Sequence, residues 1–109
     1  MKKKNSSQPG TLTFEKVLEV FKDYLQQDTV YEVVLTSHGY TLMAWNDARE
    51  EWYSADLMKT PKKLMNALLE AYAEFQEDRL TGSDRDLTPD EQAEINAKCD
   101  ALRERCQNS

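Results

Sequence analysis

The strongest constraint on this chain is a change of period. Residues 30–57 alternate in character every second position, while the stretches on either side repeat their apolar residues every third or fourth. Period two belongs to a strand with one buried face, and period 3.6 to an amphipathic helix. The order is therefore helix, strands, helices, an α+β class with a small antiparallel sheet.

The first helical stretch opens at Thr13, whose side chain suits an N-cap. Leu12 and Val17 flank it as a hydrophobic staple. Phe14, Val17, Leu18, Phe21 and Leu25 form its apolar stripe, and the helix is expected to end near Gln27. Val30–Thr36 is rich in β-branched residues and reads as a strand. His38-Gly39 reads as a two-residue turn, Tyr40–Trp45 as the second strand, Asn46–Glu50 as the next turn and Glu51–Leu57 as the third strand.

Thr60-Pro61 marks the second helix, whose stripe is Leu64, Leu68, Ala71, Tyr72 and Phe75, with Gly82 placed to end it in the left-handed conformation. Thr88-Pro89-Asp90-Glu91 combines an N-cap, a first-turn proline and a capping-box glutamate, so a third helix starts there. Its stripe of Ile95, Cys99, Leu102 and Cys106 is narrow, as expected for a helix that docks at a rim or pairs with another chain. Residues 1–10 read as a flexible basic tail and 11–109 as a single domain.

Turn positions suggest a register in which Leu35 faces Leu42, Val33 faces Ala44 and Trp45 faces Trp52. The core face would then carry Tyr31, Val33, Leu35, Leu42, Ala44, Tyr53, Ala55 and Leu57, covered by the first two helices. The other face would carry Glu32, Val34, Thr36, Thr41, Met43, Trp45, Trp52, Ser54 and Asp56. Its Trp45/Trp52 pair is either a cross-strand contact, a surface covered by the third helix, or a binding patch of the residue types enriched at interface centres.

Charge narrows function. The net charge is −6, and without Lys2, Lys3 and Lys4 the remainder carries −9. Residues 70–94 hold Glu70, Glu74, Glu77, Asp78, Asp84, Asp86, Asp90, Glu91 and Glu94 against Arg79 and Arg85, a local net of −7. Phosphate binding needs clustered Lys and Arg, so direct nucleic-acid binding is not expected, and a basic protein partner is. Lys62 and Lys63 begin the second helix while Glu74, Glu77 and Asp78 stand near its end, the reverse of what the helix dipole prefers. The acids also serve solubility. Read as a binding surface, the ridge is led by Glu70, Glu74, Glu77, Asp78, Asp84 and Asp86.

No catalytic, cofactor-binding or metal-binding constellation is apparent. The three glycines are isolated, His38 is the only histidine and sits at a turn, and Cys99 and Cys106 are seven apart. On a helix that spacing is about 10.5 Å, beyond the roughly 7 Å a disulfide tolerates. The expectation is a non-enzymatic protein without cofactors. No apolar run approaches the roughly 18 residues of a membrane span. The N-terminal lysines lack a following apolar stretch, so the cytoplasm is the expected compartment.

The segments Thr13–Gln27, Val30–Leu57, Thr60–Leu80 and Thr88–Arg105, with their acidic ridge, resemble small anti-CRISPR proteins of phages and mobile elements. The resemblance lies in element order and charge rather than in a motif. It implies an inhibitor that imitates DNA and occupies the basic groove of an RNA-guided nuclease. The alternative is an adaptor module, monomeric or homodimeric, that binds through the Trp45/Trp52 sheet face.

Overall fold

A computed structural model describes residues 12–107, so the tail expected at residues 1–10 lies outside the described residues. The elements are α1 (Phe14–Gln27), β1 (Tyr31–Thr36), β2 (Gly39–Asn46), β3 (Glu51–Leu57), α2 (Pro61–Thr81) and α3 (Pro89–Gln107). The three strands form an antiparallel meander in the order β1-β2-β3. This is the α+β architecture the two periods require.

Local chemistry starts and stops the helices. Thr13 Oγ1 accepts from the Lys16 amide and Thr60 Oγ1 from the Lys63 amide, both at 3.1 Å. At α3 the capping box closes both ways: the Glu91 amide donates to Thr88 Oγ1 at 3.1 Å and the Thr88 amide to Glu91 Oε1 at 3.0 Å. Gly82 ends α2 at φ 62°, a left-handed conformation that a Cβ would strain. At the end of α1, Asp28 turns the chain into β1. Its buried carboxylate accepts from the Tyr24 hydroxyl at 2.6 Å and from the Val30 amide at 3.0 Å. Burial and the adjoining carboxylate push the Tyr24 phenol well above its ordinary pKa, so it stays a donor.

The core lies between the helices and one sheet face. Phe21, Leu64, Met65, Leu68 and Val17 are fully enclosed, with Leu42 and Met58 from the sheet side. Tyr24 meets Tyr72 and Phe75 edge-on at 5.5 and 5.4 Å between centroids. The α3 helix packs against α1 and α2, inserting Ile95 and Cys106. It therefore does not serve as the cover for the outer sheet face.

Two register expectations are corrected. The first hairpin pairs Val33 with Leu42 and Leu35 with Tyr40. The loop is Ser37-His38 rather than His38-Gly39, because Thr36 Oγ1 accepts from the His38 amide and donates to the Gly39 carbonyl, closing the turn one residue earlier. The shift of two keeps the faces intact. The second hairpin pairs Trp45 with Trp52 as expected, then breaks register: Ala44 faces Ser54, Met43 faces Ala55 and Thr41 faces Leu57. Tyr53 is the extra residue of a β-bulge, and beyond it every β3 side chain changes face. Ala55 and Leu57 thus belong with Met43 and Thr41 on the outer face, and Ser54 and Asp56 share the helix side with Ala44 and Leu42. Leu35 is also corrected. It lies on the helix side but is 66% exposed, because the ring of Phe14 stacks on its neighbour Tyr40 instead (centroids 4.8 Å apart).

Candidate protein-binding surfaces

Two surfaces emerge from this frame. The first runs along α2. Lys63, Asn66, Glu70, Glu74 and Glu77 are spaced by three or four residues, which keeps them on one side of the helix, and all five are exposed. The apolar residues of α2 occupy the other side, against α1, α3 and the sheet. Asp78 follows on the flank of this stripe, and Asp84 and Asp86 are exposed in the loop beyond Gly82. All six acids expected to lead the ridge are therefore at the surface.

Their partners are few. The ion pairs among the described residues are Lys16–Glu19, Arg49–Glu51, Arg85–Glu91, Lys98–Glu94 and Arg103–Asp100. None of the six is among them. Asp78 Oδ1 accepts from the Ser83 hydroxyl at 3.2 Å. Arg79, the nearest cation in sequence, turns away, lying over the Phe75 ring at 5.4 Å and donating to Gln27 Oε1 at 3.4 Å. Glu91 and Glu94, by contrast, are neutralised.

Arg85 is the organising residue of the loop. It grips both Glu91 oxygens at 2.7 and 2.8 Å and donates to the Leu80 carbonyl at 3.0 Å. One side chain thus ties the end of α2 to the start of α3. The guanidinium, helped by the Thr88 amide, lowers the Glu91 carboxyl to about 2, and the carboxylate raises the Arg85 pKa in return.

The second surface is the outer sheet face. Val34, Met43, Trp45 and Leu57 are half-buried there, and Trp52 is 41% exposed. Trp45 and Trp52 meet edge-on with centroids 5.0 Å apart, a geometry worth about 0.5–1.5 kcal/mol beyond the area it buries. Ala55 and Leu57 enlarge this face, and only the unforeseen bulge puts them there. Sequence reasoning also missed a groove of about 520 Å³ between α1 and the free edge of β1, lined by Leu18, Lys22, Leu25, Tyr31 and Val33 among others. Nothing in a linear sequence marks such a groove.

The two surfaces approach each other at the bulge. Burial and then the nearby Glu74 carboxylate raise the Tyr31 pKa, with the Tyr53 phenol also beside it. Tyr53 itself is 57% exposed. An aromatic edge therefore adjoins the acidic stripe.

The polar side chains with the best geometry, Thr13, Thr60, Thr88, Arg85, Glu91 and Asp28, are all engaged in caps and turns. Cys99 and Cys106 are free thiols, both pushed up in pKa by burial and so poor nucleophiles. No group of metal-ligating side chains occurs among the described residues, and no helix of the structure is long and apolar enough to cross a membrane. Compared with known proteins, the chain matches no family model, no curated protein and no solved structure. Fold and surfaces define a small α+β domain with a charged helix stripe and an apolar sheet face.

Proposed function

We propose that this chain is a non-enzymatic protein-binding regulator that offers the acidic α2 stripe to a basic surface of a nucleic-acid-handling protein. The carrying observation is that Glu70, Glu74, Glu77 and Asp78 stand exposed along one helix with no ion pair among the described residues. The last of them sit where the helix dipole is unfavourable to them. A basic groove relieves both their mutual repulsion and the dipole conflict, and speeds encounter at low salt. An RNA-guided nuclease is the partner class suggested by the resemblance in element order and charge. Inhibition of target-DNA cleavage by a type II nuclease tests the reading, with parent compared with the variant E74K/E77K/D78K. The parent should inhibit, less so as salt rises, and the variant should not. Equal inhibition by both, unaffected by salt, would overturn it.

A second reading rests on the sheet face that α3 leaves uncovered. There the protein is an adaptor whose contacts are led by Trp52 and Trp45. It predicts binding with little salt dependence that is lost in Trp52→Ala and kept in the charge-reversed variant.

A further inference from the structure

The acidic stripe occupies only part of α2. Lys59, Lys62 and Lys63 cluster at the opposite end, exposed, and none of them is in an ion pair among the described residues. From Lys63 to Glu77 the helix rises about 21 Å. One exposed face thus carries positive charge at its N-terminal end and negative charge at its C-terminal end. Both placements oppose the helix's own dipole, which no ordinary solubility requirement explains.

We infer that α2 is a self-association surface: two copies pair antiparallel through this stripe, the Lys62–Lys63 end of each against the Glu74–Asp78 end of the other. The inference rests on the reading of the stripe as a docking surface for positive charge, and it names a second copy as an occupant. Antiparallel placement corrects every misplaced charge at once. The lysines of one copy come to lie beside the C-terminal carbonyls of the other helix, where cations are favoured. The acids come to lie beside its N-terminal amides, where anions are favoured. Parallel placement would instead oppose like charges along the whole length.

The contact is closed. The same patch serves both copies, so the association stops at a two-fold dimer and does not grow into a filament. Small side chains permit the approach: Ala67 and Ala73, both partly buried, flank the stripe. Asn66 and Glu70 open on one side into a groove against α3 with a volume of about 630 Å³. A dimer held by exposed charges dissociates as salt rises. Its formation would cover the same acids that a basic partner needs, so self-association and partner binding compete.

Sedimentation of the purified chain over a range of concentrations, at about 20 mM and about 500 mM salt, tests this. The parent should dimerise at low salt and dissociate at high salt. K62E/K63E should weaken dimerisation at least about tenfold, and so should E77K/D78K, since each leaves like charges opposed. Mixed one to one, these two variants should form a heterodimer, because the acids introduced at positions 62 and 63 of one then face the lysines introduced at positions 77 and 78 of the other, while the native acids of the first face the native lysines of the second. A parent that stays monomeric at every concentration in low salt would overturn the inference, as would K62E/K63E associating like the parent or the mixture failing to pair. K62E/K63E keeps every acid, so its binding to a cationic peptide such as oligolysine reports on the docking surface separately. Loss of dimerisation with retained peptide binding by K62E/K63E is the expected result. A monomeric parent that binds the peptide removes only the dimer, whereas failure to bind it removes the reading beneath.

Discussion

Reversing charge at the end of α2 should stabilise the fold, and the size of the gain can be worked from the structure. In E74K/E77K/D78K, the changes at positions 77 and 78 each remove an unfavourable charge–dipole contact and add a favourable one. At exposed, screened positions each contact is worth about 0.3 kcal/mol, so the two positions together contribute about 1.2 kcal/mol. Position 74 lies too far from the helix end to count, but its repulsion with Glu70 one turn away becomes attraction, a further gain of about 0.5 kcal/mol. The exposed Ser83–Asp78 hydrogen bond is lost, at a cost of about 0.5–1 kcal/mol. The net is about 1 kcal/mol, or a rise in Tm of about 4–8 °C for a domain of this size. Thermal melts followed by circular dichroism at low salt should show it. At about 1 M salt, where the screening length falls to about 3 Å, most of the gain should vanish. A loss of stability, or a gain indifferent to salt, would refute the electrostatic reasoning. A variant that folds better and binds worse separates docking from folding in one protein.

The Arg85–Glu91 tie should also show in pH dependence. Glu91 is held near 2, below the ordinary glutamate value of about 4.3, so its contribution to folding is fully present above that value and is lost as pH falls toward 2. An NMR titration of the Glu91 carboxyl should have its midpoint near 2, and Arg85→Ala should move it back toward the ordinary range. On the sheet face, iodide should quench Trp52, which is 41% exposed, more than half-buried Trp45. Loss of most of the quenchable emission in Trp52→Phe would confirm the assignment, and equal quenching of the two would contradict it.

What the sequence disclosed, and what it concealed, divides by range. The caps at Thr13, Thr60 and Thr88, and the stop at Gly82, depend on atoms within four residues of one another, and each could be named in advance. So could the Trp45–Trp52 pair, because the turn between those residues sets their register. The first hairpin is shifted by two from the register its sequence suggests because a threonine hydroxyl, not the glycine, closes its loop. An even shift preserves the faces, so the core was still recognisable. The bulge at Tyr53 is an odd shift, and it moved Ala55 and Leu57 to the outer face. It has no glycine or proline to announce it. Parity alone puts Leu35 on the core face. Parity places a side chain on a face but does not say whether a helix reaches it, and Phe14 covers Tyr40 instead. Of the candidate site, the exposure of Glu70, Glu74, Glu77 and Asp78 is readable from their spacing opposite the apolar stripe of α2, and that of Asp84 and Asp86 from the polar loop that follows Gly82. The nearness of Glu74 to Tyr31 is not, because it arises only when helix and sheet are brought together.

Size weighs the two surfaces against each other. Three strands span about 14 Å across and seven residues about 24 Å along, so the outer sheet face has a flat area of about 340 Å². Doubled for side-chain relief, it still falls short of the roughly 800 Å² per partner that a stable interface buries. The Trp pair alone is therefore too small a platform to hold a partner tightly. The α2 stripe alone lacks apolar anchors, and exposed charge pairs of about 0.2–1 kcal/mol each set encounter and orientation more than residence time. The bulge joins these two deficits. Trp52 and Tyr53 are consecutive, Trp52 stacks on Trp45 at the outer face, and Tyr53 stands beside Tyr31 near Glu74. A basic partner that meets the stripe and wraps the β3 edge reaches both surfaces. Its cations then face Glu74 and Glu77, and its apolar side chains face Trp52. On the proposed reading, adjoining residues of one edge would divide the work between steering by charge and retention by aromatic contact.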